Sequence, residues 1–164
     1  MRNIDADAAL TMVVLEQMLV DYWREVDFNG AAGAVDYFTQ DVIGDFGAIK
    51  FTGHDGVRQF YADRAAKIAR DQKDGVRTTR HVYHNLQIVL HDTASATLSF
   101  LIVTFGGGGR PPVLDATLPV AISDTRMDCR READGVWRVH GFYGTPVLLG
   151  GEDFARASLM GKPS

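Results

Sequence analysis

An α+β fold is predicted: a curved, mostly antiparallel sheet wrapped around a long N-terminal helix, with an apolar pocket between the layers. Two observations carry this reading. Helical spacing dominates the chain before Gly75, and β-branched and aromatic runs dominate after it. Helices grouped first and strands grouped later define an α+β layer arrangement, not the alternating order of a parallel α/β sheet. No repeat, linker or low-complexity tract divides the 164 residues. One domain is therefore expected over 1–164, with its core at about 10–149 and a tail from 150 onward.

The first helix places Leu15, Met18, Leu19, Tyr22, Trp23 and Val26 on one face and stops at the glycine-bearing Phe28-Asn29-Gly30. A shorter second helix is expected in AAGAVDYFTQDVI, with Ala34, Val35, Phe38 and Val42 on one side. A third begins after FTGHDG and runs through Val57, Phe60, Tyr61, Ala65 and Ile68. Four long strands follow: RTTRHVYHNLQIVLHD, ASATLSFLIVTF, LPVAISDTRMDCRRE and GVWRVHGFYGTPVLL. The breakers between them are HDTAS, GGGGRPP and ADG.

Composition removes several classes of function. A net charge of −4 with scattered Lys and Arg argues against nucleic acid as a partner, because phosphate recognition needs a basic face. The single cysteine, Cys129, excludes an internal disulfide and a thiolate metal cluster within one chain. Asp5 and Asp7 interrupt the apolar core that a signal peptide would need, and the apolar runs fall short of a membrane span. A soluble, cytoplasmic protein with a small-molecule partner is expected. GGGGR at Gly106–Arg110 lacks the Lys-Ser/Thr of a phosphate loop and reads as a hairpin connection that could border the pocket mouth.

The histidines offer the strongest chemistry. His81 and His84 have opposite parity on a strand, and His81 and His91 lie roughly 33 Å apart along it, so a metal site is not expected. As a base, His81 needs a buried carboxylate to fix its tautomer. Asp27, near the apolar face at the end of the first helix, is the candidate. There it sits near the negative end of the helix dipole and needs a cationic partner. The simpler alternative leaves Asp27 solvated at a fraying helix end and His81 on the strand surface. If His81 faces inward, regular alternation sends Leu86, Ile88 and Leu90 outward. They then face a partner subunit, or a bulge near Tyr83–Asn85 reverses the parity.

A second constellation pairs the Tyr22 phenol with Asp45, placed at a strand start beside Phe46, as donor and base for proton transfer next to a carbonyl. In the alternative reading Tyr22 is a core aromatic and Asp45 a turn residue. Trp23 and Phe60 are expected to line the pocket, and Ser123, Asp124, Arg126 and His140 are candidates to project polar groups into it.

VDFNGAAGAVDYFTQDVIGDF, FTGHDGVRQFY, TTRHVYHNLQIVL and READGVWRVHGFYG, in that order, resemble the SnoaL-like branch of the nuclear transport factor 2-like (cystatin-like) α+β barrels. Within that group the wording is similar to scytalone dehydratase, hexachlorocyclohexane dehydrochlorinase and bile-acid dehydratase. The resemblance implies a cofactor-free lyase, in a homotrimer or dimer. Asp27 orients His81, the imidazole takes a proton, and water or a halide leaves from the neighbouring carbon. It casts Tyr22, and Arg126 or His140, as groups that polarise the substrate or leaving group. Tyr22 and Asp45 also resemble the phenol and base of ketosteroid isomerase, and RHVYHNLQI resembles the non-catalytic small subunit of ring-hydroxylating dioxygenases. An isomerase or cyclase and a binding subunit are the rival readings.

Overall fold

The computed structural model describes residues 4–114 and 118–150; the tail expected beyond Gly150 lies outside them. Helix α1 spans Ala6–Phe28. Asp5 caps it, its carboxylate accepting from the Ala8 amide at 2.8 Å, and so satisfies one of the donors every helix start leaves over. Leu15, Leu19, Tyr22 and Val26 are buried at helical spacing, and Met18 and Trp23 pack beside them, as the stripe predicts. The chain leaves the helix through Gly30 at φ 64°, a left-handed turn that glycine adopts at little cost.

The second predicted helix is not there. A short 3₁₀ turn at Ala34–Tyr37 leads directly into strand β1, Phe38–Asp45, followed by β2, Lys50–Thr52. Apolar residues at 34, 35, 38 and 42 fit a helix face, but Phe38 and Val42 bury equally well from an extended chain. Pairing with the last strand decides between the two. Helix α2 then runs Gly53–Asp71, as read, and is followed by β3 (Arg77–Leu90), β4 (Ser95–Gly108), β5 (Ala121–Arg131) and β6 (Trp137–Leu149). The glycine run is thus not a loop up to Gly108: Gly106–Gly108 pair with Arg77–Thr79.

One six-stranded sheet results, in the order β2-β1-β6-β5-β4-β3. All neighbours are antiparallel except β1 and β6. The sheet ends in two edges, β2 and β3, so the expected barrel is not closed. Irregular register in β3–β4 and β5–β6 bends the strands, since an extra residue on one strand adds twist. The concave face covers the inner side of α1. No helix among the described residues is long and apolar enough to cross a membrane.

The parity conflict in β3 is resolved by a bulge. His84 pairs with Leu101 and Gln87 with Ser99, so Asn85 and Leu86 together oppose Phe100. Thr79, His81 and Tyr83 face the helix layer before the bulge, and Leu86, Ile88 and Leu90 pack on the core after it. The partner-subunit alternative for those three aliphatics is therefore not needed. Asn85 carries φ 54°, a left-handed conformation that asparagine tolerates and β-branched residues do not. Asn85→Val is expected to cost about 1–2 kcal/mol and Asn85→Gly to be near neutral, measured by urea denaturation. Equal midpoints for wild type and Asn85→Val would show that the bulge makes no such demand.

Candidate active site

α1 and β3 meet where the helix ends. β3 is a sheet edge, so some of its backbone N–H groups have no strand partner. Asp27 supplies one: its Oδ2 accepts the His81 amide at 2.7 Å. Its Oδ1 lies 2.6 Å from His81 Nδ1 and accepts from the Thr79 hydroxyl at 3.2 Å. The carboxylate side chain is 5% exposed and the imidazole 12%, so the solvated alternative for both residues fails. Burial pushes the Asp27 carboxyl up, but the side-chain and backbone hydrogen bonds from His81, with that of Thr79, outweigh it and hold the group below its usual value.

This arrangement determines the tautomer. An ionised Asp27 accepts the Nδ1–H, which leaves the Nε2 lone pair directed away from the pair, and His81 lines a cavity of about 580 Å³. Trp23 stacks on the imidazole at 4.4 Å between centroids and limits its rotation. The far wall is aromatic. Phe46, Phe51, Phe60 and Phe142 pack around one another, with ring centroids 4.8–6.3 Å apart across the adjoining pairs. Gly144 makes room for that wall: a Cβ there would stand 2.6 Å from the Phe46 ring.

Tyr22 also lines the cavity, and its hydroxyl lies 2.5 Å from that of Tyr61 on α2. Burial pushes both phenols up, Tyr61 to about 12 and Tyr22 well above its usual value, so both stay protonated at neutral pH. One proton joins the two oxygens, and the other is available to an acceptor in the cavity. Tyr61→Phe leaves the buried Tyr22 hydroxyl without its partner and is expected to cost about 1–3 kcal/mol. Tyr22→Phe/Tyr61→Phe together should cost less than the sum of the single changes. Strict additivity in a double-mutant thermal-denaturation cycle would argue against a shared bond.

The structure separates the remaining candidates. Trp23 and Phe60 line the cavity as expected. Asp45 does not: it ends β1, accepts the Gly47 amide at 2.9 Å in the following turn, and pairs with Lys50 at 2.9 Å in solvent. Strand alternation divides the β5 candidates, with Ser123 lining the cavity and Asp124 and Arg126 bordering a separate, more open depression. Arg126 lies over the Tyr143 ring at 4.3 Å. His140 sits outside the cavity, 3.6 Å from Asp41 in a network held by Arg130. His84 is exposed, and His91 bonds Thr97 at 2.9 Å. Burial pushes the Cys129 thiol up to about 12, so it is no nucleophile at neutral pH. Among the described residues no group of three His, Cys, Asp or Glu could hold a metal ion.

Among the polar residues of the cavity that sequence reasoning misses are Tyr61, Arg64 and Thr79. Tyr61 was counted only as part of an apolar face. Arg64, one turn further, was the signal, a cation in line with that face. Thr79 shares strand parity with His81.

A helix inside an open, curved, mostly antiparallel sheet, with polar groups at the bottom of an aromatic cavity, is the cystatin-like α+β class. A SnoaL-like domain model matches residues 9–143, and the chain belongs to that family. No curated protein matches the chain. Several solved structures share the fold. A putative scytalone dehydratase from Novosphingobium aromaticivorans is 16% identical over 88% of this chain and 89% of its own, with a TM-score of 0.68. Hexachlorocyclohexane dehydrochlorinase from Novosphingobium barchaimii is 13% identical over 88% and 91%, with a TM-score of 0.67. A cystatin-like protein of unknown function from Nostoc punctiforme is 13% identical over 88% and 95%, with a TM-score of 0.66.

Proposed function

We propose that the protein is a cofactor-independent lyase that eliminates water or halide from a small, largely apolar or aromatic substrate. The observation that carries this reading is the His81 imidazole, anchored at Nδ1 by a buried Asp27 and lining the aromatic cavity. Nε2 takes a proton from a substrate carbon, the C–H electron pair becomes the new double bond, and the β-substituent leaves with its bonding electrons. Asp27 stabilises the imidazolium that forms. The free phenol proton of the Tyr22–Tyr61 pair hydrogen-bonds a substrate oxygen or the departing group. The likeness to a putative scytalone dehydratase and to a dehydrochlorinase supports the reaction type by analogy of fold alone.

The isomerase reading loses support, because its base would be a solvent-exposed Asp45 held by Lys50. The test is a turnover screen of small hydroxylated and halogenated compounds, run in parallel on wild type, His81→Ala and Asp45→Asn. Elimination predicts a disabled His81→Ala and an active Asp45→Asn. The reverse pattern revives the isomerase, and absence of turnover together with a co-purifying larger protein favours a binding subunit.

A further inference from the structure

Of the four rings in the aromatic wall, three stand on regular elements: Phe51 on β2, Phe60 on α2 and Phe142 on β6. Phe46 stands on the turn between β1 and β2. Short-range contacts hold that turn. The Phe46 amide donates to the Ile49 carbonyl at 2.8 Å and the Gly47 amide to Asp45 at 2.9 Å, and Lys50 pairs with Asp45 in solvent. Three residue pairs, from Ile43–Thr52 to Asp45–Lys50, tie β2 to β1. Phe46 and Ile49 line the cavity from this turn. Lys50, Gln59 and Asp63 line it too and are exposed, so the mouth lies between the turn and α2.

Gly144 decides where the Phe46 ring can stand. β1 and β6 run parallel with Asp45 opposite Tyr143, and one further step brings Phe46 level with Gly144. A Cβ at Gly144 would meet Phe46 ring carbons at 2.6, 2.9 and 3.9 Å, its three nearest heavy atoms beyond the chain neighbours. Carbon atoms settle at roughly 3.5–4.0 Å, so any larger residue at 144 moves the ring. Behind the ring is β6. In front of it are the cavity and Phe60, whose ring lies nearly parallel at 6.3 Å between centroids. A methyl group at 144 therefore shortens the cavity, and loss of the ring lengthens it.

We infer that Phe46, seated on Gly144, sets the upper size of the molecule the cavity admits and is a specificity-determining residue. A small aromatic molecule packs against the ring where it stands, whereas a larger one needs the space the ring occupies. Apolar walls discriminate size by fit, and one methylene too many or too few changes affinity by roughly 10–200-fold. Asp45 and Lys50 then act on the turn that carries the ring, and neither touches the bound molecule as a base. This inference rests on the elimination reading only in calling that molecule a substrate; the size limit belongs to the wall.

The test is fluorescence titration with 2-naphthol and 1-pyrenol, phenols on two and four fused rings. The readout is the ratio of their dissociation constants, which a general loss of stability does not move. Phe46→Ala should shift the ratio toward 1-pyrenol by at least ~10-fold, and Gly144→Ala should shift it toward 2-naphthol. The double variant should behave as Phe46→Ala does, because the methyl group at 144 then strikes nothing. An unmoved ratio in a Phe46→Ala variant with wild-type circular dichroism overturns the inference, as does a wild type that binds neither probe. So does a Gly144→Ala effect that persists in the double variant. If Gly144→Ala does not fold, Phe46→Leu decides beside Phe46→Ala, with a ratio expected between wild type and Ala. If His81→Ala turns over normally while the ratio responds, only the elimination reading fails. A disabled His81→Ala with an unmoved ratio sinks the size limit alone.

Discussion

His81→Ala is expected to lower turnover by at least ~10²-fold without unfolding the protein. The change removes the only imidazole that lines the cavity among the described residues. The phenols of Tyr22 and Tyr61 cannot replace it as a base because burial holds them protonated, and the Asp27 carboxylate is turned to the β3 backbone. The fold survives because Asp27 keeps the Thr79 hydroxyl and the backbone amide of residue 81, and these still tie α1 to the edge strand. Loss of one hydrogen bond and of the stacking on Trp23 is expected to cost about 1–3 kcal/mol, read as a lower melting temperature with an unchanged far-ultraviolet spectrum. A folded His81→Ala variant with full activity would sink the proposed mechanism.

Asp27→Asn is expected to cost a similar factor, at least ~10²-fold, by a different route. The side-chain oxygen of asparagine can accept only one set of bonds. If it takes the His81 amide, its NH₂ group faces Nδ1, the imidazole proton moves to Nε2, and the base is lost. The substitution also changes the dependence of stability on pH. The Asp27 carboxyl is held below its ordinary value of 3.8 in the folded protein. Its contribution is therefore fully present above that value and is lost as pH falls through the lower, folded-state pKa. Wild type should exceed Asp27→Asn in stability by a constant margin near neutrality, and the margin should shrink in acid. Denaturation curves showing a gap that does not narrow below the ordinary Asp range would contradict this account.

Most of the site was legible because its residues carry local signals. Asp27 lies at a helix end where a carboxylate is disfavoured without a partner, and His81 lies on a strand whose polar and apolar residues conflict in parity. That conflict allows either a partner subunit or a bulge, and the structure has the bulge, with Asn85 in a left-handed conformation. Arg126 and His140 were misassigned because a residue type says nothing about which face it takes. Alternation along β5 turns Ser123 inward and Arg126 outward. The chain from Ala34 to Val42 was misread for a related reason, since apolar residues with such spacing fit a helix and a strand equally well, and only β6 chooses.

From its residues alone the chain specifies the α+β order, the stripe that buries α1, the long strands β3 to β6, and Asp27 with His81 as the pair to watch. These follow from periodicity, capping and the cost of burying charge, all of which act within a few residues. Tertiary structure decided what depends on partners distant in sequence. It made β1 a strand, left the sheet open, joined Tyr22 to Tyr61 across 39 positions, put Asp45 in solvent, and brought Arg64 to the Thr79 hydroxyl in the same cavity. Which side chains share a cavity is set by how layers stack, and no local pattern encodes that.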